Sequence, residues 1–425
     1  MEVLGPSDPK VSFSFPRPFC RPRRPPDLLT AASQTFPIQK KYQTPEYLRT
    51  MPHLRPRTPI NALLLRLRSD AIASLTHFFA SRKFTQTHPP VITSSDCEGA
   101  GEVFTLAPAS EATATVGEEV TGQSFFRSRK YLTVSTQLHL EALAQSVGDV
   151  WTLSPVFRAE QSDTSRHLSE FYMLEAEMSF VDDLDVVMDF VEDLLRSLST
   201  SLLETQAVQE LLSRPAQAGP DLVHPDIVKG RWEGLMQSSW PRITYTAAVE
   251  LLEQNSKLFA LKPAWGAGLQ SEHEKWLAEH VGGGRTPVFV TNYPRDIKAF
   301  YMRENPTSTL SPSSTVECFD LLVPELCEIA GGSMREHRLM PLMDAMKRHG
   351  VLVRPGCEVS GHKHPGDDGS ETAGSLEWYV DLRRWGCPPH GGFGLGFDRF
   401  LSYLSGVQTV RDIVAFPRWF GRCDC

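Results

Sequence analysis

An unusual density of ionisable side chains lies in the stretch FRAEQSDTSRHLSEF, between two phenylalanines. It holds Arg158, Glu160, Arg166 and His167, and it ends on Phe171. Guanidinium groups bind phosphates and carboxylates through paired hydrogen bonds, and an aromatic ring offers a flat surface to a planar base. These residue types together predict a site for a polyanionic ligand. Any one of them alone could instead belong to an ordinary surface ion pair.

A second candidate anion-binding arginine follows a glycine-rich turn in PPHGGFGLGFDRFLSYLSG. A strand, a turn at Gly396 and a helix carrying Arg399 in its first turns would aim backbone amides and a guanidinium at the same anion. The pattern is neither the dinucleotide fingerprint nor a P-loop. Acidic residues in the segments ECFD and ELCE offer the hard oxygen ligands that Mg²⁺ prefers. The two arginines, the acidic residues and Phe171 together predict an ATP-binding site. The arginines and Mg²⁺ would bind the triphosphate, and the adenine would stack on Phe171.

The elements that must position these residues follow from hydrophobic periodicity. The run from Pro59 to Lys83 predicts a long amphipathic helix, with apolar positions at Leu64, Leu67, Ile72, Leu75, Phe78 and Phe79. Strands are predicted in PPVIT, YLTVST, DVWTLSPVFRAE, FYMLEAEMSF, PVFVTNYP, FDLLVPELCEIAGG and EWYVDLRRW. VDDLDVVMDFVEDLLRSLSTSLLETQ predicts a helix with acidic first turns. Residues 205–285 carry weaker signals, and we interpret them as a helical insertion.

Composition and charge exclude several classes of protein. No apolar run approaches the roughly 18 residues of a membrane-spanning helix, so no membrane partner is predicted, and no secretory signal is visible. The eight cysteines form no CxxC pair, which argues against zinc or a disulfide framework. Residues 1–70 hold 12 Lys and Arg against 5 Asp and Glu, so this part could meet RNA or a membrane surface, or be a solvated tail. Residues 10–35 are predicted to be disordered, and residues 361–374 to form a surface loop.

The chain resembles the class II aminoacyl-tRNA synthetases. FRAEQSDTSRHLSEF looks like their motif 2, GFGLGFDRF looks like motif 3, and the long helix followed by FTQTHPPVI looks like motif 1, with Pro90 at its proline. ITSSDCEGAGEVF, YLTVSTQLHLEA, FYMLEAEMSFVD, ELCEIAGGSMREHR and WYVDLRRWGCPPHGGFGLGFDRF are similar to the asparaginyl-tRNA synthetases of bacteria and mitochondria. The resemblance implies that residues 59–425 adopt the class II catalytic fold, an α+β fold in which helices flank an antiparallel β-sheet. It also implies that the protein is a homodimer.

That family joins asparagine to tRNA(Asn) in two steps. The carboxylate of asparagine attacks the α-phosphate of ATP, and the adenylate is then passed to the 3′ end of the tRNA. A bound carboxylate is already a nucleophile, so catalysis is positioning plus charge stabilisation, with Mg²⁺ as the metal. The resemblance implies that Arg158, Glu328 and Arg399 are catalytic and that Glu328 and Asp320 ligate the metal. The implied ATP-binding set is Arg158, Glu160, Arg166, His167, Phe171, Asp320, Glu328, Gly396 and Arg399.

The resemblance also implies where asparagine binds. Glu98 and Gln137 match positions that receive the α-ammonium group, and Ser135 lies beside them. Glu175 would accept a hydrogen bond from the amide NH₂ and repel a carboxylate, and Arg335 would donate to the amide oxygen. Aspartyl relatives typically carry a Lys where this chain has Leu140, so asparagine is favoured over aspartate.

The N-terminal part departs from the family pattern. Family members begin with an OB-fold that reads the anticodon, whereas residues 1–58 look like a remnant of it, an insert without counterpart and a hinge. One hypothesis is that the insert is a translated intron. Arg49, Arg55 and Arg57 of the hinge could meet tRNA or dock to the catalytic domain.

The location and two rival functions stay open. A mitochondrial location is implied by the resemblance, with the cytoplasm as the alternative, since no targeting peptide is visible. One rival function is a paralogue that forms free asparagine or another amide through aspartyl-adenylate. The other is a non-catalytic interaction module.

Overall fold

The computed structural model describes residues 37–39, 41–94, 103–107, 125–126, 129–215, 222–306, 314–351 and 376–424. The predicted disordered segment, the loop at 361–374 and Glu98 lie outside the described residues. The strands are β1 (Thr85–Gln86), β2 (Ile92–Thr93), β3 (Thr105–Leu106), β4 (Lys130–Leu132), β5 (Val150–Phe157), β6 (Glu170–Ser179), β7 (Arg242–Thr244), β8 (Val288–Thr291), β9 (Cys318–Val323), β10 (Cys327–Met334) and β11 (His390–Gly396). The helices are α1 (Pro45–Arg49), α2 (Pro59–Ser81), α3 (Gln137–Val147), α4 (Leu184–Leu203), α5 (Gln206–Leu212), α6 (Pro225–Met236), α7 (Tyr245–Gln254), α8 (Ser271–His280), α9 (Leu339–Arg348), α10 (Glu377–Arg384), α11 (Phe397–Ser405) and α12 (Val410–Ile413).

An eight-stranded sheet in the order β1-β5-β6-β11-β10-β9-β8-β7 forms the centre of the fold. Its inner pairs are antiparallel, and the pairs at the two edges, β1 with β5 and β7 with β8, are parallel. A second sheet has the order β2-β4-β3. Helices flank the main sheet, so the predicted α+β class is confirmed, with parallel pairing added at the edges.

The predicted long helix forms as α2 and buries one face. Leu67, Leu75 and Phe79 are almost fully buried, and they share a core cluster with Val191 and Leu195 of α4. Spacings of three, four and seven residues place such side chains on one stripe of a helix. Ile72 was expected on this stripe, but it is 38% exposed because it lies on the outer side of the helix. The packing of α2 against α4 covers one side of the sheet.

The prediction of a strand in EWYVDLRRW is wrong, because this segment is helix α10. Tyr379, Val380 and Arg383 are its buried residues, which is helical spacing and not alternation. Tyr379 and Arg383 both bind the carboxylate of Glu141 on α3. This partner, more than two hundred residues earlier in the sequence, decides the local structure.

The prediction of one strand in FDLLVPELCEIAGG is also corrected, because the segment is the hairpin of β9 and β10. Pro324 cannot donate a ladder hydrogen bond, so it ends the first strand. Glu325 and Cys327 have φ angles of 68° and 66°, in the left-handed region that turns require. The two acidic candidates, Asp320 and Glu328, therefore lie on neighbouring strands.

Residues 205–285 are largely helical, as predicted, and hold α5 to α8. They also supply the edge strand β7, which pairs with β8 in the main sheet. Trp232 of α6 is buried and donates its indole N–H to the carbonyl of Leu404, so this segment packs onto the body. That the segment is an insertion stays a prediction.

Within the described part of the chain, no helix combines the length and apolar character needed to cross a membrane.

The hinge arginines dock to the C-terminal segment. Arg49 donates two hydrogen bonds to the carboxylate of Asp412, at 2.8 and 2.6 Å. Arg55 is 1% exposed and donates to Asp412 at 3.1 Å and to the carbonyl of Arg411 at 2.9 Å. Arg57 is exposed. Of the two roles left open by the sequence, Arg49 and Arg55 therefore take the docking role.

Candidate active site

The loop between β5 and β6 carries most of the predicted ATP-binding residues. The two strands pair antiparallel up to Phe157 and Glu170, and the amide of Arg158 donates to the carbonyl of Ser169 at 3.0 Å. The predicted strand–loop–strand is thus confirmed. This register places Arg158 at the first position of the loop. Phe171 pairs with Val156, which lies two residues before Arg158 on the same face, so Arg158 and Phe171 are neighbours.

The far side of this loop is bound by the C-terminal segment. Arg411 of α12 donates to the carbonyl of Thr164 at 3.0 Å and pairs with Asp163 at 2.9 Å. The amide of Val410 donates to the carbonyl of Ser165 at 3.1 Å. The loop is therefore fixed at its two ends by β5 and β6 and at its middle by α12.

Three arginines lie near one another beside this loop. The Arg158 guanidinium lies over the Phe171 ring, 5.6 Å from its centroid. Arg399, in the first turn of α11, donates to the Glu328 carbonyl at 2.6 Å. Burial lowers the pKa of Arg399, and the neighbouring charges of Arg166 and Arg158 lower it further. Glu328 opposes this fall. Positive charge from the two ends of the loop and from α11 thus lies close together, and a bound anion would relieve the repulsion among the three arginines.

His167 and Glu160 line the same loop. His167 Nε2 lies 3.3 Å from a Glu160 oxygen, and Arg158 lies 3.9 Å from the other. Burial lowers the pKa of His167, Glu160 opposes this, and Arg399, Arg166 and Arg158 lower the pKa further. The imidazole is therefore biased to its neutral form beside the arginines.

A β-bulge brings the two acidic candidates together. The register of β10 shifts between Glu328 and Ala330, so β10 holds one extra residue there. In a regular strand Glu328 and Gly331 would face opposite sides, and the extra residue puts them on the same side. A Cβ on Gly331 would lie 3.3 Å from a Glu328 oxygen and 3.4 Å from an Asp320 oxygen. The missing side chain keeps the space between the carboxylates open.

Sequence reasoning missed two charged residues beside this acidic pair. The Lys298 ammonium lies 2.8 Å from both oxygens of Asp320. Glu274 of α8 is close enough that burial, Glu328 and Asp320 together raise its pKa to about 7. A lysine between apolar residues in DIKAF and an acidic pair in SEHEK were the available signals. Among the described residues, no three His, Cys, Asp or Glu side chains are grouped so that they could hold a metal ion.

The predicted asparagine-binding residues cluster at the start of α3. Both oxygens of the buried Glu175 carboxylate accept hydrogen bonds from the Thr136 amide at 3.0 Å, and the Ser135 and Thr136 hydroxyls also donate to this carboxylate. Burial raises the pKa of Glu175, and these donors oppose the rise. Glu175 therefore fixes the segment that leads into Gln137, and its contact with a substrate amide stays a prediction. Leu140 packs in a small cluster with neighbours on α3 and β5.

Arg335 has a partner that sequence reasoning missed. It forms a buried ion pair with Glu177 at 3.0 Å and donates to the Ser333 hydroxyl at 2.6 Å. Glu177 lies two residues after Glu175 on β6, on the same face of the strand. The alternation of acidic residues in MLEAEM was the available signal. Arg335 is thus held in place before any ligand arrives.

Gly396 lies at the start of α11, and an added Cβ would make only ordinary contacts there.

Comparisons with known proteins identify the family. The family model described as tRNA synthetases class II (D, K and N) matches residues 44–420. The mitochondrial asparagine–tRNA ligase of Saccharomyces cerevisiae is 43% identical over 403 residues, which cover 92% of this chain and 75% of that protein. The asparagine–tRNA ligase of Geotalea uraniireducens is 41% identical, over 92% of this chain and 78% of that protein.

Solved structures give the same result. The asparaginyl-tRNA synthetase of Pyrococcus horikoshii, complexed with asparaginyl-adenylate, matches with a TM-score of 0.70 and 30% identity, covering 89% of this chain and 74% of that one. The Entamoeba histolytica asparaginyl-tRNA synthetase, also with asparaginyl-adenylate, matches with a TM-score of 0.68 and 27% identity, covering 91% of this chain and 73% of that one. Fold, motif order and sequence identity lead to one conclusion: the chain belongs to the class II tRNA synthetases of the D, K and N group.

Proposed function

We infer that this chain activates asparagine with ATP and joins it to tRNA(Asn), which is the activity of an asparagine–tRNA ligase. The observation that carries this inference is that two arginines from distant parts of the sequence lie near Glu328. Arg399 donates to the Glu328 carbonyl at 2.6 Å, and the charges of Arg399 and Arg158 both oppose the rise in pKa that burial and Asp320 cause at the Glu328 carboxyl. Two guanidiniums beside an acidic pair form a binding site for a metal-bound polyphosphate. The identity of 39–43% to curated asparagine–tRNA ligases supports asparagine as the amino acid.

The chemistry of the first step needs charge stabilisation more than proton transfer. Arg158 would hold the α-phosphate and the substrate carboxylate, so negative charge that accumulates at phosphorus meets a fixed cation. Phe171 would stack on adenine, and Arg399 would cover the opposite face of the base and reach the terminal phosphate. Glu160, Arg166 and His167 would line the nucleotide. Their placement on one loop and one helix start supports these roles.

Mg²⁺ would bind to Glu328 and Asp320, whose oxygens face one another across Gly331. The metal would neutralise the charge of the phosphates as pyrophosphate leaves. Lys298 would keep Asp320 paired until the metal arrives, since a buried carboxylate without a cation is costly.

The amino-acid pocket would lie at the start of α3. Gln137 and Glu98 would receive the α-ammonium group, with Ser135 beside them. Arg335 would donate to the amide oxygen of asparagine, and Glu175 would accept from the amide NH₂. A carboxylate at Glu175 repels aspartate, so asparagine is preferred.

Asparagine-dependent exchange between ATP and pyrophosphate tests this proposal. The wild-type chain should show activity with asparagine and none with aspartate, and Arg399→Ala should lose at least about a hundredfold in rate. Arg285→Ala is the matched control, because Arg285 is 71% exposed and pairs with Glu233 on the surface of α6. Activity with aspartate alone would support an amide-forming paralogue. No activity with either amino acid would support a non-catalytic module.

The N-terminal domain assignment, the oligomeric state and the compartment are separate proposals. We propose that residues 1–58 are a remnant of the anticodon-binding domain with its insert and hinge, and that residues 59–425 form the catalytic domain of a homodimer. Sedimentation analysis would test the dimer. A mitochondrial location is supported by the mitochondrial relatives in Saccharomyces cerevisiae and Schizosaccharomyces pombe, although bacterial relatives are equally similar. A fluorescent fusion would test it.

A further inference from the structure

A fully buried carboxylate lies one helical turn after the proposed ammonium-binding residue Gln137. Glu141 of α3 is 0% exposed. The Gln137 side-chain nitrogen lies 3.1 Å from one of its oxygens. Residues four apart on a helix lie on the same face, so this contact is built into α3. None of the roles proposed above uses Glu141.

Three further groups bind the Glu141 carboxylate. Arg383 donates to it at 2.7 Å, the Tyr379 hydroxyl at 2.9 and 2.8 Å, and His390 Nε2 lies 3.0 Å from it. Arg383, Tyr379 and His390 are all buried. Arg383 and His390 outweigh the cost of burial and hold the pKa of Glu141 well below its usual range. Glu141 is therefore held in its ionised form.

An ionised carboxylate accepts hydrogen bonds and cannot donate one. The Gln137 amide can meet Glu141 only through its NH₂ group, and its carbonyl oxygen must then point elsewhere. The oxygen and nitrogen of a glutamine look alike in shape, so the partner decides which one faces a ligand. Glu141 thus leaves the side-chain carbonyl oxygen of Gln137 available to accept a hydrogen bond from an α-ammonium group.

A second buried carboxylate holds the other end of the amino-acid pocket, since Glu177 binds Arg335. Burial lowers the pKa of His390, but its contacts with Cys387 and Glu141, together with the charge of Glu177, raise it to about 10. The residue proposed for the ammonium end and the residue proposed for the amide end are therefore each bound to a buried carboxylate, Glu141 and Glu177.

We propose that Glu141 is a positioning residue for asparagine: it fixes the Gln137 amide with its oxygen toward the α-ammonium group. This rests on the proposed function, because it takes Gln137 as the ammonium-binding residue. Glu141 touches no reacting atom and acts through Gln137.

The substitution that tests it is Glu141→Gln, which keeps the size of the side chain and removes the charge. A glutamine can donate as well as accept, so the Gln137 amide is free to turn over. In pyrophosphate exchange, the KM for asparagine should rise at least tenfold, and the KM for ATP should change less than twofold. Glu192→Gln is the matched control, because Glu192 is also a buried acid but lies on α4 and binds Arg196 and the amide of Ser239. It should leave both KM values unchanged.

Coupling to Gln137 separates positioning from a general structural effect. In a Gln137→Ala background, Glu141→Gln should add less than twofold to the KM for asparagine. An equal effect with and without Gln137 would overturn the proposal, as would an unchanged KM for asparagine in Glu141→Gln alone. If Glu141→Gln does not fold, Tyr379→Phe is the fallback, because it removes one donor from Glu141 at nearly constant shape. It should raise the KM for asparagine two- to fivefold, and no rise would overturn the proposal. An inactive wild type would instead refute the proposed function.

Discussion

A single methyl group at Gly392 should test the buried ion pair beneath the amino-acid pocket. Gly392 of β11 lies opposite Glu177 of β6. A Cβ there would lie 2.1 Å from a Glu177 oxygen and 2.3 Å from the backbone carbonyl oxygen of Ala176. The first contact is about 1.3 Å short of the 3.4 Å at which ordinary contact begins. Gly392→Ala must therefore displace Glu177 and separate the two strands.

The cost follows from the two displacements. Moving Glu177 by this distance breaks its 3.0 Å bond to Arg335. Leaving a buried charge without its partner costs about 3–5 kcal/mol, and overpacking a sheet adds about 1–3 kcal/mol. We expect Gly392→Ala to lower the free energy of unfolding by at least about 4 kcal/mol.

Gly394→Ala is the control, two residues along the same strand and on the same face. Its Cβ would meet first the Met173 sulfur at 3.1 Å, which is part of a flexible side chain. We expect a change within about 1 kcal/mol. Urea unfolding followed by tryptophan fluorescence measures both variants. Similar losses for the two would refute the reasoning, because the difference depends on the clash with Glu177 and Ala176 alone.

Three further predictions concern charged groups. The pKa of His390 is raised to about 10, so its stabilisation is full below pH 6.5 and disappears as the pH rises to about 10. Over that window the free energy of unfolding should fall about 1.4 kcal/mol per pH unit more steeply in the wild type than in His390→Gln, and parallel pH profiles would contradict this. Asp412→Asn should lower the free energy of unfolding by about 2 kcal/mol, because the buried Arg55 loses its anionic partner, and an unchanged urea midpoint would count against it. Lys298→Met should tighten binding of free Mg²⁺ in calorimetric titration, since the ammonium no longer competes for Asp320, and weaker binding would show that Lys298 assists the metal.

Local patterns were sufficient where a segment's own periodicity decides its structure. The apolar stripe of α2 was predicted from its helical spacing, the acidic start of α4 from its aspartates, and the strands β5 and β6 from their β-forming residues. The strand-to-helix turn before Arg399 was also predicted. These elements bring the arginines of the candidate site together.

Distant partners decide the elements that sequence reasoning missed. The helix α10 looks strand-like until Glu141, on α3, is known to bind its Tyr379 and Arg383. The bulge before Ala330, which turns Glu328 toward Asp320, has no signal in an apolar run. Glu177 could be noticed as an acid in a strand, but its pairing with Arg335 depends on the order of strands in the sheet.

The docking of the C-terminal segment has a mechanical consequence. Arg411 and Asp412 are neighbours on the four-residue helix α12, and successive helical side chains point about 100° apart. One binds the middle of the loop between β5 and β6, and the other binds the hinge arginines. The loop between β5 and β6 and the hinge arginines are thus held by two adjacent residues of one short helix, so a shift of α12 would disturb both contacts.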